Sequence, residues 1–355
     1  KGGLGYQNPW RGHPFNKDNN INGVNGDGNN DNSGEETHEL ANAQVLEYQK
    51  AYIRKVVDTV NDLDNVLYEV SNESHSGSTA WQYALVDYIK QYEGGKAKQH
   101  PVGMTVEYPN GSNAELLASH ADWISPNSDG GYMDNPPAGD GQKVVLVDTD
   151  HLWGIGGDYV WVWKSFTRGL NPIFMDGYDG TAYGVGGSDF NTSDPKWPKL
   201  RANLGYTRAY AQQVNLAAMM PRGDLCSTGY CLANPSAPGA EFIVFQPNGA
   251  NSFTVKLNGL SGSFAVEWLN PETGSKSAGT AVNGGGTVTF NPPFGNAVLY
   301  LKQGGASTTP TSTPVSTATP TKSPTPTQVP STPTPPPPTP PKVTTSVVGQ
   351  GTVEI

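Results

Sequence analysis

Two short runs in this chain each end in a carboxylate, and together they define a candidate chemistry. Residues 65–70 are largely apolar and lead into Ser71-Asn72-Glu73, and residues 143–147 lead into Asp148-Thr149-Asp150-His151. If both runs are strands of one parallel sheet, their C-terminal ends aim Glu73 and the Asp148/Asp150 pair at one cleft, where α/β enzymes keep their sites. Two carboxyls across a cleft can divide a reaction between them. One protonates a leaving oxygen, and the other attacks or stabilises a cationic transition state, as cleavage of a glycosidic bond requires.

Glu73 is the candidate acid/base, against the plainer reading of a surface residue that opens the next loop. Asp148 and Asp150 share a face, and either suits the second role; Asp148 is preferred because it follows the apolar run directly. Glu107, at the end of another apolar run, is the reserve candidate. Glu69 has the strand parity of Glu73 and is expected to be a buried, paired structural residue. His151, Trp153, Tyr108, Trp123 and Tyr178 lie at strand ends, where aromatic faces can stack on sugar rings, although each could equally be packing. Trp161 and Trp163 fall on a helix and read as core. Asp148, Asp150 and His151 offer oxygen and nitrogen ligands in one loop, but crowded strand tips commonly hold no ion, so neither metal nor cofactor is expected.

These residues need a scaffold of alternating elements. Leu46, Ile53, Val56, Val57 and Val60 have helical spacing, and that helix feeds the strand ahead of Glu73. A helix over 79–92 follows, then a strand (101–108), a short helix (114–119), strands (121–125 and 143–148), a helix (158–168), a strand (171–176) and a long helix (198–219). Alternation of this kind implies an α/β sheet. Gly154-Ile155-Gly156-Gly157 lacks the spacing of a dinucleotide-binding loop, which argues against a nucleotide cofactor.

At this point a resemblance can be stated. Tyr68-Glu69-Val70-Ser71-Asn72-Glu73 resembles the fourth-strand motif of the clan A glycoside hydrolases, (β/α)8 TIM barrels in which the Glu of an Asn-Glu pair is the acid/base and a strand-seven carboxylate is the nucleophile. The resemblance covers residues 1 to about 230 and implies that Asn72 hydrogen-bonds the sugar 2-hydroxyl. With Glu73 ending strand four, the strands near 101, 121, 143 and 171 become five to eight, and the Asp148 region falls at the nucleophile's position. The clan has Glu there, and the shorter Asp leaves open whether the mechanism retains or inverts. It also leaves a non-catalytic carbohydrate-binding barrel as the competing reading. The pairing with a β-sandwich is similar to the apiosidase-like family. Strands one, two and most of three are missing from the match, so a partial barrel of strands three to eight is expected, with the Gly/Asn-rich stretch 6–24 lining the cleft as the third βα loop.

Residues 241–301 alternate apolar and polar between Gly and Asn turns, as a small all-β sandwich would, with Trp268 in its core. From 304 the chain is almost wholly Pro, Thr and Ser, a composition that forms an extended, disordered tether. The expected domains are therefore a barrel over 1–234, a sandwich over 235–303, a linker over 304–342 and the start of a further domain over 343–355. The net charge of −10 argues against a nucleic-acid partner, and no apolar run reaches the ~20 residues needed to span a membrane. A secreted bacterial protein acting on a plant or microbial polysaccharide is the expectation. Cys226 and Cys231, with four residues between them, are read either as a small disulfide loop or as free thiols.

Overall fold

A computed structural model describes residues 9–176 and 194–304, and two short paired strands at Thr344–Ser346 and Thr352–Glu354. Tyr178 and nearly all of the expected linker lie outside the described residues. The first part of the chain alternates helix and strand: α1 (Ala43–Val60), β1 (Tyr68–Glu69), α2 (Thr79–Glu93), β2 (Val102–Thr105), α3 (Asn113–Ala118), β3 (Trp123–Ser125), β4 (Val144–Asp148), α4 (Thr149–Trp153), α5 (Tyr159–Thr167), β5 (Asn171–Ile173) and α6 (Lys196–Gln213). The five strands are parallel and lie in the order β1-β2-β3-β4-β5. A doubly wound sheet reverses direction at a switch point, and this one does not.

Strand parity separates two faces. Tyr68, Val102, Met104, Ile124, Val145 and Val147 are buried on the helix side, in apolar clusters with Val57, Val86 and Ile89 of α1 and α2 and with Leu116, Trp161, Val162 and Leu200 of α3, α5 and α6. The opposite face carries Glu69, Gly103, Thr105, Trp123, Ser125, Leu146 and Asp148, with its polar side chains at the C-terminal ends of the strands. A sheet with one greasy and one polar face directs its chemistry to the polar one. Caps fix where several helices begin. Asn42 Oδ1 accepts from Val45 N at 3.2 Å, and Ser112 with Glu115 forms a reciprocal capping box.

Several expectations shift. The strand ahead of Glu73 is only two residues long, and the helix expected over 198–219 stops at Gln213, where Val214 turns extended. Glu69 is exposed rather than buried, because β1 is the sheet's edge and nothing described covers its polar face; its carboxylate still accepts from Thr105 Oγ1 at 2.9 Å.

The second part is all-β: β6 (Met220–Pro221), β7 (Cys231–Asn234), β8 (Glu241–Phe245), β9 (Phe253–Lys256), β10 (Ser263–Leu269), β11 (Lys276–Asn283), β12 (Thr287–Phe290) and β13 (Val298–Gln303). Six of these form an antiparallel sheet in the order β11-β10-β13-β8-β7-β6, and β12 pairs with β9. Phe253, Val255 and Phe290 of the pair share one core with Phe242, Val244, Phe264, Trp268 and Leu299 of the larger sheet. That larger sheet starts before residue 235, since β6 and β7 belong to it. Its other face meets α5 and α6 through Trp163, Tyr210, Ile243, Phe245 and Tyr300. Asn203 fixes this junction, accepting from Trp163 Nε1 at 2.7 Å and donating to Pro271 O at 2.9 Å. Trp161, Trp163 and Trp268 are all core. Cys226 and Cys231 are buried free thiols. Their hydrogen bond is the main reason the Cys226 thiol is pulled down to about 6 and the Cys231 thiol is pushed up.

Candidate active site

Glu73 follows β1 in a loop and has φ 47°, a left-handed conformation that costs a non-glycine residue about 1–3 kcal/mol unless its surroundings hold it. Part of that hold comes from β2. Glu73 N donates to Thr105 Oγ1 at 3.3 Å, and the same hydroxyl lies 2.9 Å from Glu69 Oε1 and 3.2 Å from Ser71 O. Across the sheet, β4 runs directly into α4. A carboxyl or imidazole atom from each of Glu73, Asp150 and His151 lies within 4.8 Å of the other two.

Asp148, the preferred second carboxylate, is not in that group. Its side chain is the N-cap of α4, with Oδ1 accepting from Asp150 N at 2.9 Å. The carboxylate that directly follows the apolar run starts the next helix, and the residue one half-turn later reaches the cleft. His151 is held between two partners, with Ser125 Oγ 2.7 Å from Nδ1 and Asn72 Oδ1 3.3 Å from Nε2. An amide oxygen only accepts, so Nε2 is the donor in the contact with Asn72. Asn72 is exposed and fixed by this contact.

The aromatic expectations divide. Tyr108 is 62% exposed beside the loop, and its N donates to Ser74 O at 2.9 Å. Trp123 is buried with its ring over Gly103, where a Cβ would approach to 1.8 Å. It is a floor beneath the polar face rather than an open platform, and its Nε1 has no hydrogen-bond partner among the described residues. Trp153 packs edge-on against Trp161 at 5.4 Å. Glu107, the reserve candidate, is not in the Glu73, Asp150 and His151 group. Buried at 4% exposure, its Oε1 accepts from Ser78 Oγ, Thr79 Oγ1 and Gln82 Nε2 at the start of α2.

The Gly/Asn-rich loop wraps this end of the sheet. Phe15, Tyr48, Tyr52, Glu69, Val70 and Trp81 line an apolar groove of about 310 Å³ beside β1. His75 Nε2 lies 3.1 Å from Glu35 O, and His38 packs 4.7 Å from Trp81 and 6.4 Å from His75. Burial, then the charges of His75 and His13, pushes His38 down to about 4, so its ring is neutral at ordinary pH. Thr105, Ser125, His38 and His75 were not singled out by sequence reasoning. For Thr105 and Ser125 the signal was there, because both share parity with strand residues that face the cleft. The two histidines meet only through the fold.

Comparison with known proteins bears on the fold. No protein-family model matches the sequence, and no curated protein does. Solved structures do match. One described as a glycoside hydrolase superposes with TM-score 0.50 at 13% identity, over 75% of this chain and 70% of its own. A glycoside hydrolase family 5 protein from Bacteroides vulgatus superposes with TM-score 0.50 at 12% identity, over 72% of this chain and 66% of its own. The fold is that of these glycoside hydrolases.

Proposed function

We propose that this chain acts as a retaining glycoside hydrolase, with Glu73 as acid/base and Asp150 as nucleophile. The carrying observation is their proximity: one oxygen of each carboxylate lies within 4.8 Å of the other, at the C-terminal end of one parallel sheet. Inverting enzymes keep their carboxyls ~6.5–9.5 Å apart to admit a water, and retaining ones ~5–5.5 Å apart. In this reading the open sheet is the wall of a (β/α)8 barrel from strand four to strand eight, with the loop ahead of it in the place of the third unit. The sequential parallel order and the likeness in fold support it. The all-β part is a sandwich packed on α5 and α6, and the Pro/Thr tether suggests a secreted, multidomain protein.

Glu73 protonates the glycosidic oxygen while Asp150 attacks the anomeric carbon. The leaving group departs, and the same Glu73 then takes a proton from the water that releases the glycosyl ester. Asn72, steadied by His151, is placed to donate to the sugar 2-hydroxyl, and exposed Tyr108 borders the substrate's path. The substrate class proposed is a plant or microbial polysaccharide.

The test incubates the chain with β-glucans, mannans, xylans and pectins and measures reducing-sugar release beside Glu73→Gln and Asp150→Asn. Release by the parent and its loss in both variants is expected, with the product's anomeric configuration retained by NMR. Inversion, or full activity in Asp150→Asn, would refute the assignment. Binding without release from any substrate would favour a carbohydrate-binding barrel instead.

A further inference from the structure

Asn72 is exposed, and among the described residues the one hydrogen bond of its side chain is to His151. Whatever orients His151 therefore orients Asn72. Ser125, the last residue of β3, lies on the cleft face of the sheet at 2% exposure. Its Oγ is 2.7 Å from His151 Nδ1, while His151 Nε2 is 3.3 Å from Asn72 Oδ1. The contacts run from β3 through α4 to the loop after β1 and so tie these strand ends together. The ring nitrogens of an imidazole point away from each other, so holding Nδ1 at a buried strand end fixes where Nε2 aims. The ends of an Asn amide are likewise opposed. With Oδ1 turned to His151, the amino end and its N–H donors face away from the ring.

The buried end of this relay is the stronger one. The Ser125 contact is short and shut off from solvent, whereas the link to Asn72 is long and partly exposed, and it cannot orient both of its groups unaided. The serine hydroxyl is not needed for the sheet. β3 pairs with β2 and β4 through its backbone, which alanine at 125 would leave intact. His151 also stands in the group with Glu73 and Asp150, so the ring is fixed where the chemistry is placed.

We propose that Ser125 is a positioning residue: through His151 it holds the Asn72 amide with its N–H donors toward the bound sugar. The catalytic consequence rests on the glycosidase reading above, in which that donor meets the 2-hydroxyl. Hydrogen bonds to this hydroxyl strengthen in the transition state, so a misdirected amide lowers kcat more than it raises KM.

The experiment compares the full chain with Ser125→Ala and with Ser125→Thr, which keeps the hydroxyl. Side-chain 15N relaxation reads the Asn72 amide, whose signals are assigned by their loss in Asn72→Asp. An order parameter above ~0.6 is expected in the parent and in Ser125→Thr, and a lower one in Ser125→Ala. On the polysaccharide the parent cleaves best, Ser125→Ala should lose about tenfold in kcat with KM within about twofold and Tm unchanged, and Ser125→Thr should recover most of the loss. An Asn72 amide as ordered in Ser125→Ala as in the parent would overturn the proposal. So would a loss carried by KM, or one that Ser125→Thr does not recover at parental Tm. Cleavage of no polysaccharide would refute the glycosidase reading, while the amide relaxation still decides whether Ser125 orients Asn72.

Discussion

Replacing Thr105 with Val removes one hydroxyl from the polar face and little else. The side chain is buried at 4% exposure, and Val fills nearly the same volume. Its contact with Glu69 reaches a carboxylate, but an exposed one, which lowers its value. The bond from Glu73 N is long at 3.3 Å and therefore weak. Taken together, the lost bonds cost about 1–2 kcal/mol, part of which the added methyl restores. At ~2–4 °C per kcal/mol for a domain of this size, Tm should fall by only a few degrees. Activity should fall further. Thr105 Oγ1 is the side-chain partner of the backbone that holds Glu73 at φ 47°. Freed to relax, a displacement of about 1 Å at the acid/base costs on the order of 10²-fold in rate. The assay pairs thermal unfolding with kcat and KM on whichever polysaccharide the parent cleaves. A loss confined to kcat, with Glu73 displaced, is expected. Parental kcat in a variant whose Tm has dropped would refute the reasoning, because the hydroxyl would then brace the sheet without positioning Glu73.

Three further outcomes follow from packing and charge. Asn203→Leu should destabilise the chain by about 2–5 kcal/mol, since it orphans Trp163 Nε1 and Pro271 O at the junction of the two parts; chemical denaturation measures it. Gly103→Ala should cost about 1–3 kcal/mol by driving the Trp123 ring from its seat, visible as a shift in tryptophan fluorescence and a lower Tm. The buried Glu93–His100 pair should give stability a pH dependence. The Glu93 hydrogen bond holds His100 above its usual 6.5. Burial favours protonating Glu93, but donors from His100, Tyr68 and Asn61 outweigh it and hold the carboxyl below 4.5. The His100 contribution is complete below 6.5 and is lost as pH rises through its raised value; the Glu93 contribution is complete above 4.5 and is lost as pH falls through its lowered one. Tm against pH should therefore peak for this pair between those limits, and His100→Gln should remove the alkaline decline. An unchanged decline in that variant would assign it to another group.

Most of the scaffold was legible because its signals are local. The apolar runs near 102–106, 123–125 and 143–147 are strands, each within a few residues of its expected bounds, and the helices before and between them follow 3.6-residue spacing. What local pattern cannot carry is the outcome of competition for one side chain. Asp148 looked the better nucleophile because it ends the strand, yet the end of a strand that enters a helix is also an N-cap, and four backbone N–H groups there need acceptors. The cap claimed Asp148, and the next carboxylate came to stand beside Glu73. Glu107 illustrates the same competition from the other side, since Ser78, Thr79 and Gln82 draw it under the start of α2. Burial of Glu69 failed for a different reason. Parity predicts which face a residue takes, but whether that face is covered depends on the neighbouring strand, and among the described residues β1 has a partner on one side only. Which carboxylate stands near Glu73 was therefore decided by the donors close to each of them, a backbone N–H for Asp148 and side-chain groups for Glu107, and a reading that counts those donors would have placed Asp150, not Asp148, beside Glu73.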